Sequence, residues 1–438
     1  MQYGDNAKNG IGFKWRPREG IGELDVSRRV VFIGPCYPFK GGVSKYAARL
    51  AQRLAQVVPL EMHTYARLYP RWLFPGRSEP EPVRAHNDVA FAVRDLSFLR
   101  PWTFYRLGCR LRREAGDGMD GVILTWWTAA WAVHSLLLCA GLRGRVPLVL
   151  WCHNVFDHGR RGLLTLPVKW LLKAADGFVV HSGSERARLE ALAGLRPVGM
   201  APLPPLHAGE FGEPADAAAV DRGGAAVFQL LFFGFVRPYK GVEDLLEALV
   251  TVCRQAPVEL TIRGECWGDM HRTLVARVHE LGLDGKVQVL DTYTPDDQLA
   301  GVFAGCDAVV LPYREATGSG VVSLAHQFSR PAIVTDVGSL PEAVVPGCNG
   351  WVCRAGDPAG LAAAILQAAR EPIAPSSVRA ACPDAAAAWK RLAGCLVDTL
   401  RQCANAQSQS HPAPDGCPEC DCRNDHKGLA SPDKSVKW

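Results

Sequence analysis

Short apolar runs rich in β-branched residues alternate with amphipathic stretches along most of the chain. Apolar runs separated by helical stretches are typical of parallel sheets that are covered by helices on both faces. The predicted strands of the first half are residues 30–34, 88–93, 121–126, 147–152 and 177–181, and those of the second half are residues 228–233, 258–262, 287–290, 308–311 and 332–335. The pattern therefore predicts two doubly wound α/β domains.

Helical periodicity fills the intervals between these runs. Residues 43–54 place their apolar side chains at the i, i+3, i+4 and i+7 spacing of one helix face, and residues 242–253 and 358–369 also predict helices. The longest apolar stretch, residues 126–142, contains His134 and lies between two predicted strands. It therefore predicts a buried helix and not a membrane span.

Composition along the chain predicts the domain boundaries. Residues 201–224 are rich in proline, glycine and small residues, which is typical of a connection between domains. Doubly wound domains bind ligands at the carboxyl ends of their strands, so we expect the site in a cleft between the two domains. The predicted segments are a disordered extension at residues 1–27, a first domain at 28–205, a second domain at 206–383, a C-terminal helix at 384–403 and a disordered tail at 404–438.

Overall composition limits the class of protein. The chain has 438 residues, of which 48% are hydrophobic and 21% are charged, and this excludes fibrous and wholly disordered proteins. Lys and Arg number 49 against 44 Asp and Glu, and a net charge of +5 gives no indication of a nucleic-acid partner. Most of the 15 cysteines lie in apolar segments, and residues 1–27 lack the apolar stretch of a secretory signal. We therefore expect a reducing, cytoplasmic location.

Two segments between a strand and a helix have the features of anion sites. In the first domain, Gly41 and Gly42 allow close backbone approach at the amino end of a predicted helix, where free N–H groups attract phosphate. In the second domain, Arg237 and Lys240 occupy the same kind of turn, and two cations beside a helix start suit a diphosphate. The alternatives are a structural turn for the glycines and a solvated surface pair for the cations.

Two further polar segments follow predicted strands. Glu315 precedes the turn of Ser319, Gly320 and Val321, which suits a sugar hydroxyl and a phosphate held side by side. The alternative is a capped helix start with an exposed glutamate. His153 belongs to the segment WCHNVFDH at the carboxyl end of a buried strand, a position that faces the cleft. The two histidines and the aspartate of this segment form no convincing ligand set, so we expect no metal.

Taken together and in this order, the four segments resemble those of the family-four retaining glycosyltransferases of the GT-B fold, the bacterial group 1 type. The likeness covers residues 28–400 and rests on GPCYPFKGGVSKYAARLAQRLA, WCHNVFDH, FFGFVRPYKGVEDLLEAL and ATGSGVVSLAHQFSRPAIVTDVGSLPEAV. It implies two Rossmann-like domains facing a cleft, with the acceptor bound by the first, the nucleotide sugar bound by the second, and the C-terminal helix packed back on the first. It also implies sugar transfer from a nucleotide diphosphate sugar with retained anomeric configuration, without a cofactor or a metal.

The resemblance implies roles for individual residues. Lys240 and Arg237 would hold the donor pyrophosphate and stabilise the charge on the leaving group, while Gly41 and Gly42 approach from the first domain. The family's arginine commonly follows the glycine directly, where this chain has Phe235, so the role of Arg237 assumes a local shift. The other implied roles are contact with the donor sugar by Glu315, orientation of the sugar or acceptor by His153, and backbone amide contact with phosphate by Ser319, Gly320 and Val321.

The chain departs from the family pattern at one carboxylate. The family's usual pair is Glu-x7-Glu, and counting from Glu315 puts Ser323 at the second position. Another alignment puts Leu324 there and Ala316 at the first position. The second glutamate commonly holds the ribose in the family, so the resemblance implies that this chain recognises ribose differently.

The first domain, which the resemblance assigns to the acceptor, contains a segment rich in arginine and aromatic residues. Ten arginines with interleaved aromatic residues lie between Arg67 and Arg113, which is typical of a surface that contacts anionic lipid. This predicts a glycan or lipid-linked acceptor and a peripheral position at the inner membrane face. The alternative is that the arginines are scattered over several faces of a soluble domain. The candidate residues for acceptor or membrane contact are Trp72, Arg106, Arg110 and Arg113.

The tail contains the ligand types of a small zinc site in Cys417, Cys420, Cys422 and His426. It lacks the apolar residues needed to fold around a metal. We therefore expect the tail to be disordered.

The whole pattern favours a glycosyltransferase that builds cell-surface polysaccharide or glycolipid. One alternative is a non-catalytic nucleotide-sugar-binding subunit of a glycan-assembly complex, motivated by the missing second glutamate. Another is a dinucleotide-dependent oxidoreductase, because doubly wound domains serve that chemistry too. The absence of GxGxxG after the first strand of either domain argues against the oxidoreductase.

Overall fold

The computed structural model describes residues 28–39, 41–70, 89–115, 118–155, 165–206 and 227–410. In these residues the chain forms two parallel sheets, each with helices between its strands. The prediction of two doubly wound α/β domains is confirmed. The predicted extension at 1–27, most of the predicted domain connection and residues 411–438 of the predicted tail lie outside the described residues.

The first domain is built on a seven-stranded sheet of strand order β3-β2-β1-β4-β5-β6-β7. Its elements are β1 (Arg29–Ile33), α1 (Gly42–Leu54), β2 (Leu60–Arg67), β3 (Val93–Ser97), α2 (Trp102–Arg113), β4 (Met119–Trp126), α3 (Ala132–Leu142), β5 (Leu148–Cys152), α4 (Thr165–Ala174), β6 (Gly177–Val180), α5 (Gly183–Ala193) and β7 (Val198–Met200).

Four predicted strands of this sheet are confirmed, and one is wrong. In the run predicted at residues 88–93, the described residues 89–92 are not in a strand; the strand begins at Val93. It is a largely exposed edge strand that contains polar residues, so it gives no clear apolar signal. β2 was not predicted, because Glu61, His63 and Arg67 interrupt its apolar pattern. Residues 126–142 form the end of β4, a 3-10 turn and α3, and among the described residues no helix is long and apolar enough to cross a membrane.

The second domain is built on a six-stranded sheet of strand order β10-β9-β8-β11-β12-β13. The five strands predicted here are confirmed, and only the short edge strand β13 was not predicted. Its elements, with the helices that follow the sheet, are β8 (Phe228–Phe233), α6 (Val242–Val252), β9 (Val258–Arg263), α7 (Met270–Glu280), β10 (Val287–Leu290), α8 (Leu299–Ala304), β11 (Ala308–Leu311), α9 (Gly320–Gln327), β12 (Ala332–Thr335), β13 (Gly350–Cys353), α10 (Pro358–Arg370), α11 (Pro375–Ala380) and α12 (Ala385–Ser410).

Both faces of the first sheet are buried, which explains its continuous apolar runs. Val30 and Phe32 point to the face covered by α1 and α12, and Val31 and Ile33 point to the face covered by α2, α3 and α4. Each fully buried aliphatic or aromatic side chain of this kind stabilises the fold by about 1.5–3 kcal/mol. In strands that are buried on both faces, polar residues are concentrated at the ends, and doubly wound sheets bind their ligands at the carboxyl edge.

The last helix, α12, returns to the first domain. The Trp389 indole N–H donates to the Pro205 carbonyl at 3.0 Å, and further along the helix Cys403 lies against Gly177. A Cβ at Gly177 would come within 2.6 Å of the Cys403 sulfur, so a glycine is needed there for this close approach. The helix ends at Ser410, beyond the end predicted at residue 403, so residues 404–410 are helical and not part of a disordered tail.

Candidate active site between the two domains

The predicted site residues lie in loops that follow the carboxyl ends of strands. Gly41 and Gly42 follow β1, His153 follows β5, Lys240 follows β8 and Glu315 follows β11. The two domains meet at α1 of the first domain, where Lys45 forms an ion pair with Asp296 of the second. The next residue, Tyr46, also contacts the second domain, because a Cβ at Gly320 would lie 3.3 Å from its ring.

The backbone around Lys240 needs a glycine. A 3-10 turn, Pro238–Lys240, leads through Gly241 into α6, and Gly241 has φ 64°. A Cβ at Gly241 would lie 1.9 Å from the Pro312 carbonyl oxygen, so only glycine fits this turn. The turn therefore holds Lys240 at the amino end of α6, beside the loop that follows β11.

The Lys240 ammonium group is buried against aromatic rings. Its Nζ lies 4.9 Å from the ring centre of Tyr313 and 5.9 Å from that of Phe232. The pKa of Lys240 is lowered to about 8, mainly because the side chain is buried; Tyr239 opposes this shift, and the nearby Arg237 charge contributes to it. Among the residues that the structure describes, no carboxylate forms an ion pair with Lys240.

Arg237 is the second cation of this loop. Its guanidinium lies 4.0 Å over the ring of Trp267 and 5.6 Å from that of Phe235, and its buried Nε has no hydrogen-bond partner in the part of the chain that the structure describes. Within the described ranges it likewise has no carboxylate partner. Two half-buried cations that have no carboxylate partner in the described part of the chain, next to a helix amino end, form a site that favours an anion. This is the arrangement predicted for the donor diphosphate.

The opposite side of the cleft offers the amino end of α1. Gly41 has φ 108°, a backbone conformation that favours glycine, and no side chain caps the first turn of the helix. A Cβ at Gly41 or Gly42 would meet nothing within 4 Å, so the space around both residues is open. The first-turn N–H groups of α1 are therefore accessible, as an anion seat requires.

The turn before α9 has the features of the alternative given for this segment, a capped helix start with an exposed glutamate. The Ser319 hydroxyl accepts a hydrogen bond from the Val321 N–H at 3.2 Å, so this amide is already capped. Ser319 also lies beside the Tyr313 hydroxyl, whose pKa burial raises to about 12. Glu315 is exposed, and the adjacent Arg314 binds Asp244 through two hydrogen bonds. The roles of Glu315, Ser319, Gly320 and Val321 stay predictions.

His153 lies in an aromatic enclosure at the end of β5. Its ring centre is 4.3 Å from Trp151, 5.3 Å from His181 and 6.3 Å from Tyr46. Burial lowers the pKa of His153 well below its usual value, with His181 adding to the effect, so the imidazole is neutral. The last three residues of WCHNVFDH lie outside the described residues.

Sequence reasoning missed His181 and the contact made by Tyr46. The His181 Nδ1–H donates to the Ala201 carbonyl at 2.8 Å, while its Nε2 accepts from the Trp151 indole at 3.0 Å. Its position directly after the apolar run of β6 was the available signal. Tyr46 lies on the apolar face that the pattern of residues 43–54 predicts. Its ring also packs against Trp389, with the ring centres 5.9 Å apart, and against Gly320, and no local pattern indicates these contacts.

The basic surface of the first domain is only partly as predicted. On α2, Arg106 and Arg113 are exposed, and Trp102 is 52% exposed. Arg110 does not belong to a free basic surface, because it forms an ion pair with Glu61 and its guanidinium lies 2.8 Å from His63 Nε2. Trp72 lies outside the described residues. The described part of the chain contains no group of three or more His, Cys, Asp or Glu side chains that could hold a metal ion.

Each of the two domains matches a known family of glycosyltransferases. The family described as "Glycosyltransferase Family 4" matches residues 40–204, and the family described as "Glycosyl transferases group 1" matches residues 227–371. The first match covers every strand of the first sheet except β1, and the second covers the whole second sheet.

Individual relatives agree with the two family matches. A GDP-mannose:glycolipid 4-beta-D-mannosyltransferase of Xanthomonas campestris pv. campestris is 29% identical over 50% of this chain. That match spans 59% of the enzyme's own length, so the chain covers less than two thirds of it. A D-inositol 3-phosphate glycosyltransferase of Nocardia farcinica is 26% identical over 82% of this chain and 84% of its own. The structure of Anabaena HepE, solved with UDP and glucose, superposes with a TM-score of 0.60 at 17% identity, covering 88% of this chain and all of the other.

Proposed function

Since the chain belongs to the group 1, family 4 glycosyltransferases of the GT-B fold, we propose that it transfers a sugar from a nucleotide diphosphate sugar to a glycan or lipid-linked acceptor. The second domain binds the donor and the first domain binds the acceptor. The observation that carries the proposal is the pair of Arg237 and Lys240, which lack a carboxylate partner among the described residues. A donor diphosphate supplies the missing negative charge.

The two cations act on the leaving group. As the bond from the anomeric carbon to the diphosphate breaks, negative charge builds on the phosphate oxygen, and Lys240 and Arg237 stabilise it. Because the site is desolvated, this interaction is stronger than it would be in water. Across the cleft, the open amino end of α1 adds N–H groups and dipole to the same diphosphate. The site is complete only when the domains are together.

The proposed transfer retains the anomeric configuration and needs no metal or cofactor. The acceptor oxygen forms its bond to the anomeric carbon on the face from which the diphosphate departs, and the acceptor's proton passes to a phosphate oxygen of the leaving diphosphate. The strongly lowered pKa of His153 makes it a poor base, so its role is to orient the sugar or acceptor through a hydrogen bond. Proton NMR of the anomeric signal in donor and product tests retention directly.

The proposed acceptor is lipid-linked, which places the protein at the cytoplasmic face of the inner membrane in the synthesis of cell-surface polysaccharide or glycolipid. The exposed Trp102, Arg106 and Arg113 on α2 support this, because aromatic and basic side chains together favour an anionic lipid surface. The name of the Xanthomonas relative, a glycolipid mannosyltransferase, points to the same class of acceptor.

Thermal unfolding with UDP, GDP, ADP and NAD tests the donor site. A ligand at 100 times its dissociation constant adds about 2.7 kcal/mol to the free energy of unfolding. A rise in Tm with one nucleoside diphosphate supports the proposal and names the base. A rise with NAD alone overturns it. Binding of a nucleotide sugar without turnover across acceptors and membranes favours the non-catalytic binding subunit.

A further inference from the structure

The helix α3 presents an apolar face to the outside of the first domain. It contains no Lys, Arg, Asp or Glu; Val133 and Ala140 are exposed on it, and Leu136 and Leu137 between them are half-buried. These four residues follow the i, i+3, i+4 and i+7 spacing of one helix face. A helix that covers a sheet in water normally turns polar side chains outward. The outward face of α3 therefore indicates a surface that binds an apolar partner.

The helices on either side of α3 extend this surface. α2 and α4 both pack against α3, and all three helices cover the same face of the first sheet. On α4, Leu166 is 60% exposed and Trp170 is 56% exposed, and both lie on one side of the helix because they are four residues apart. On α2, Trp102 and Tyr105 are exposed three residues apart. Together with Val133 these side chains make up one surface, the apolar face of the first domain.

The apolar face lies beside the cleft. α2, α3 and α4 follow β3, β4 and β5, so the amino end of each helix lies at the carboxyl edge of the first sheet, the edge that carries the candidate site. Trp102 is the first residue of α2, and Val133 and Leu166 are the second residues of α3 and α4. The exposed apolar side chains therefore lie along the edge of the cleft that the first domain forms.

The charges around the apolar face are positive. α2, α3 and α4 contain no aspartate or glutamate. On α4, Lys169 and Lys173 are exposed, and Arg143 and Arg145 are exposed in the turn after α3. In the part of the chain that the structure describes, none of these four cations forms an ion pair. An apolar surface edged by cations complements an anionic lipid bilayer, in which acyl chains lie beneath phosphate groups.

We propose that the apolar face inserts into the acyl region of an anionic bilayer, while Lys169 and Lys173 of α4 contact the lipid phosphates. This inference rests on the proposed position at the membrane and deepens it, because it adds α3 and α4 to the contact and makes that contact partly apolar. Salt weakens a contact made by charges alone, whereas it does not weaken the burial of apolar side chains. Insertion along the edge of the cleft holds its opening at the membrane surface, so a lipid-linked acceptor reaches the first domain with its lipid still in the bilayer.

Vesicle binding at two salt concentrations tests the insertion. The triple variant Val133→Gln, Leu166→Gln, Trp170→Gln removes apolar side chains and changes no charge. We expect the wild type to sediment with phosphatidylglycerol-containing vesicles at about 0.1 M salt and also at about 1 M salt, where the Debye length is only about 3 Å. At the higher salt the triple variant should bind at least tenfold more weakly, since apolar insertion is what remains there.

The second domain supplies a matched control. Val275 on α7 is 47% exposed, against 49% for Val133, and Val345 and Val352 are also exposed. The control variant Val275→Gln, Val345→Gln, Val352→Gln makes three substitutions of the same kind away from the apolar face and should bind vesicles as the wild type does. Both triple variants should keep the Tm of the wild type, because the substituted side chains are largely exposed.

Quenching of tryptophan fluorescence by lipids with brominated acyl chains tests the insertion of Trp170 itself. Trp170→Phe keeps an aromatic, apolar side chain, so it should bind vesicles within about twofold of the wild type. It should show less quenching than the wild type, because the indole that reaches the acyl chains is gone. Equal quenching in both proteins would place Trp170 outside the acyl region and overturn the insertion.

The other outcomes separate this inference from the proposed function. Equal high-salt binding by the wild type and the first triple variant overturns the insertion, and so does a wild type that leaves the vesicles completely at high salt. A wild-type dimer in sedimentation velocity that the first triple variant lacks, without vesicle binding, overturns it too and makes the face an interface between two copies of the chain. Nucleoside diphosphates should bind both proteins equally. A wild type that inserts into vesicles but binds no nucleoside diphosphate would contradict the proposed transfer and leave the insertion standing.

Discussion

The Tyr46 hydroxyl of the first domain faces Ser323 of the second, at the position where counting from Glu315 places the family's second glutamate. Burial raises the pKa of the Tyr46 phenol well above its usual range, and Ser323 partly opposes that rise. At the position where the family has its second glutamate, this chain therefore has a contact between the two domains. The contact is made by two neutral hydroxyl groups, those of Tyr46 and Ser323.

Introducing the missing carboxylate should harm the protein. In Ser323→Glu the new charge would lie against the buried Tyr46 phenol without a cation, so we expect a lower Tm and weaker transfer. Ser323→Ala removes one hydroxyl and should change turnover by less than about fivefold. Thermal unfolding and steady-state kinetics on both variants check this. A gain of donor affinity in Ser323→Glu would show that the position still serves ribose, contrary to the geometry.

Lys240→Ala should reduce transfer by about two to three orders of magnitude, the range seen when one group that stabilises transition-state charge is removed. The fold should survive, because the side chain belongs to a turn before α6 and not to a core. Lys390→Ala, an exposed lysine on α12, is the matched control and should turn over normally. The measurement is release of nucleoside diphosphate with circular dichroism of each variant. Wild-type turnover in Lys240→Ala would remove this mechanism.

Donor binding should weaken as pH rises past about 8, the pKa to which burial lowers Lys240. Above that pH the ligand-free protein carries a neutral amine, so binding a diphosphate must also take up a proton. Between this pKa and the ordinary value of 10.5 the unfolded chain binds more protons, so Lys240 makes the ligand-free protein more stable as pH rises. Calorimetric titration with the preferred diphosphate at pH 7, 8 and 9 measures whether donor binding weakens as pH rises. Lys240→Arg, which stays charged, should show a flat profile; an equally flat wild type would contradict the prediction.

His63 should stabilise the fold most at low pH. Burial by itself lowers its pKa, but the hydrogen bonds that its ring N–H groups donate to Asp95 at 2.9 Å and to Glu61 at 2.7 Å outweigh this and raise it, with Arg110 also facing the ring. A raised folded-state pKa gives stability that is fully present below the unfolded value of about 6.5 and is lost as pH rises through the folded value. The Tm difference between the wild type and His63→Gln should therefore shrink from pH 6 to pH 9.

The control for His63 is the exposed His279, which pairs with Asp284 at the surface. His279→Gln should lower the Tm little at either pH, because exposed ion pairs contribute about 0–1 kcal/mol. A difference for His63→Gln that is constant with pH would mean that the ring is neutral and acts only through packing.

Binding to anionic vesicles should depend on α2. Reversing both charges in an Arg106→Glu, Arg113→Glu double variant should weaken sedimentation with phosphatidylglycerol-containing vesicles at least tenfold, since each basic residue near such a surface is worth about 1 kcal/mol. Phosphatidylcholine vesicles should bind both proteins weakly. Arg272→Glu, on the second domain and highly exposed, is the control. Equal binding by the double variant and the wild type would show that α2 is not part of the surface that contacts the membrane.

Much of the fold could be predicted because its signal is local. A strand buried on both faces must be apolar throughout, so β8, β11 and β12 stand out by composition alone. The same rule concentrates polar residues at strand ends, which is why Lys240 and His153 could be selected as site residues from the sequence. Gly41 could be singled out too, since turns between strands and helices often need a residue that adopts a positive φ.

Tertiary structure decided which polar groups pair and which do not. β2 was missed because Glu61 and His63 look like surface residues until Asp95 and Arg110 are brought beside them. Thr125, on β4, gives no signal in the sequence; only the sheet register places its hydroxyl against Gly34, where it has no hydrogen-bond partner among the described residues. Hydrogen bonds and ion pairs join atoms from distant parts of the chain, so their formation, and the unpaired groups that are left for a ligand, depend on the sheet register and on how the two domains meet. Apolar burial needs no specific partner, and for that reason the sequence by itself determined the architecture and the loops that carry the chemistry.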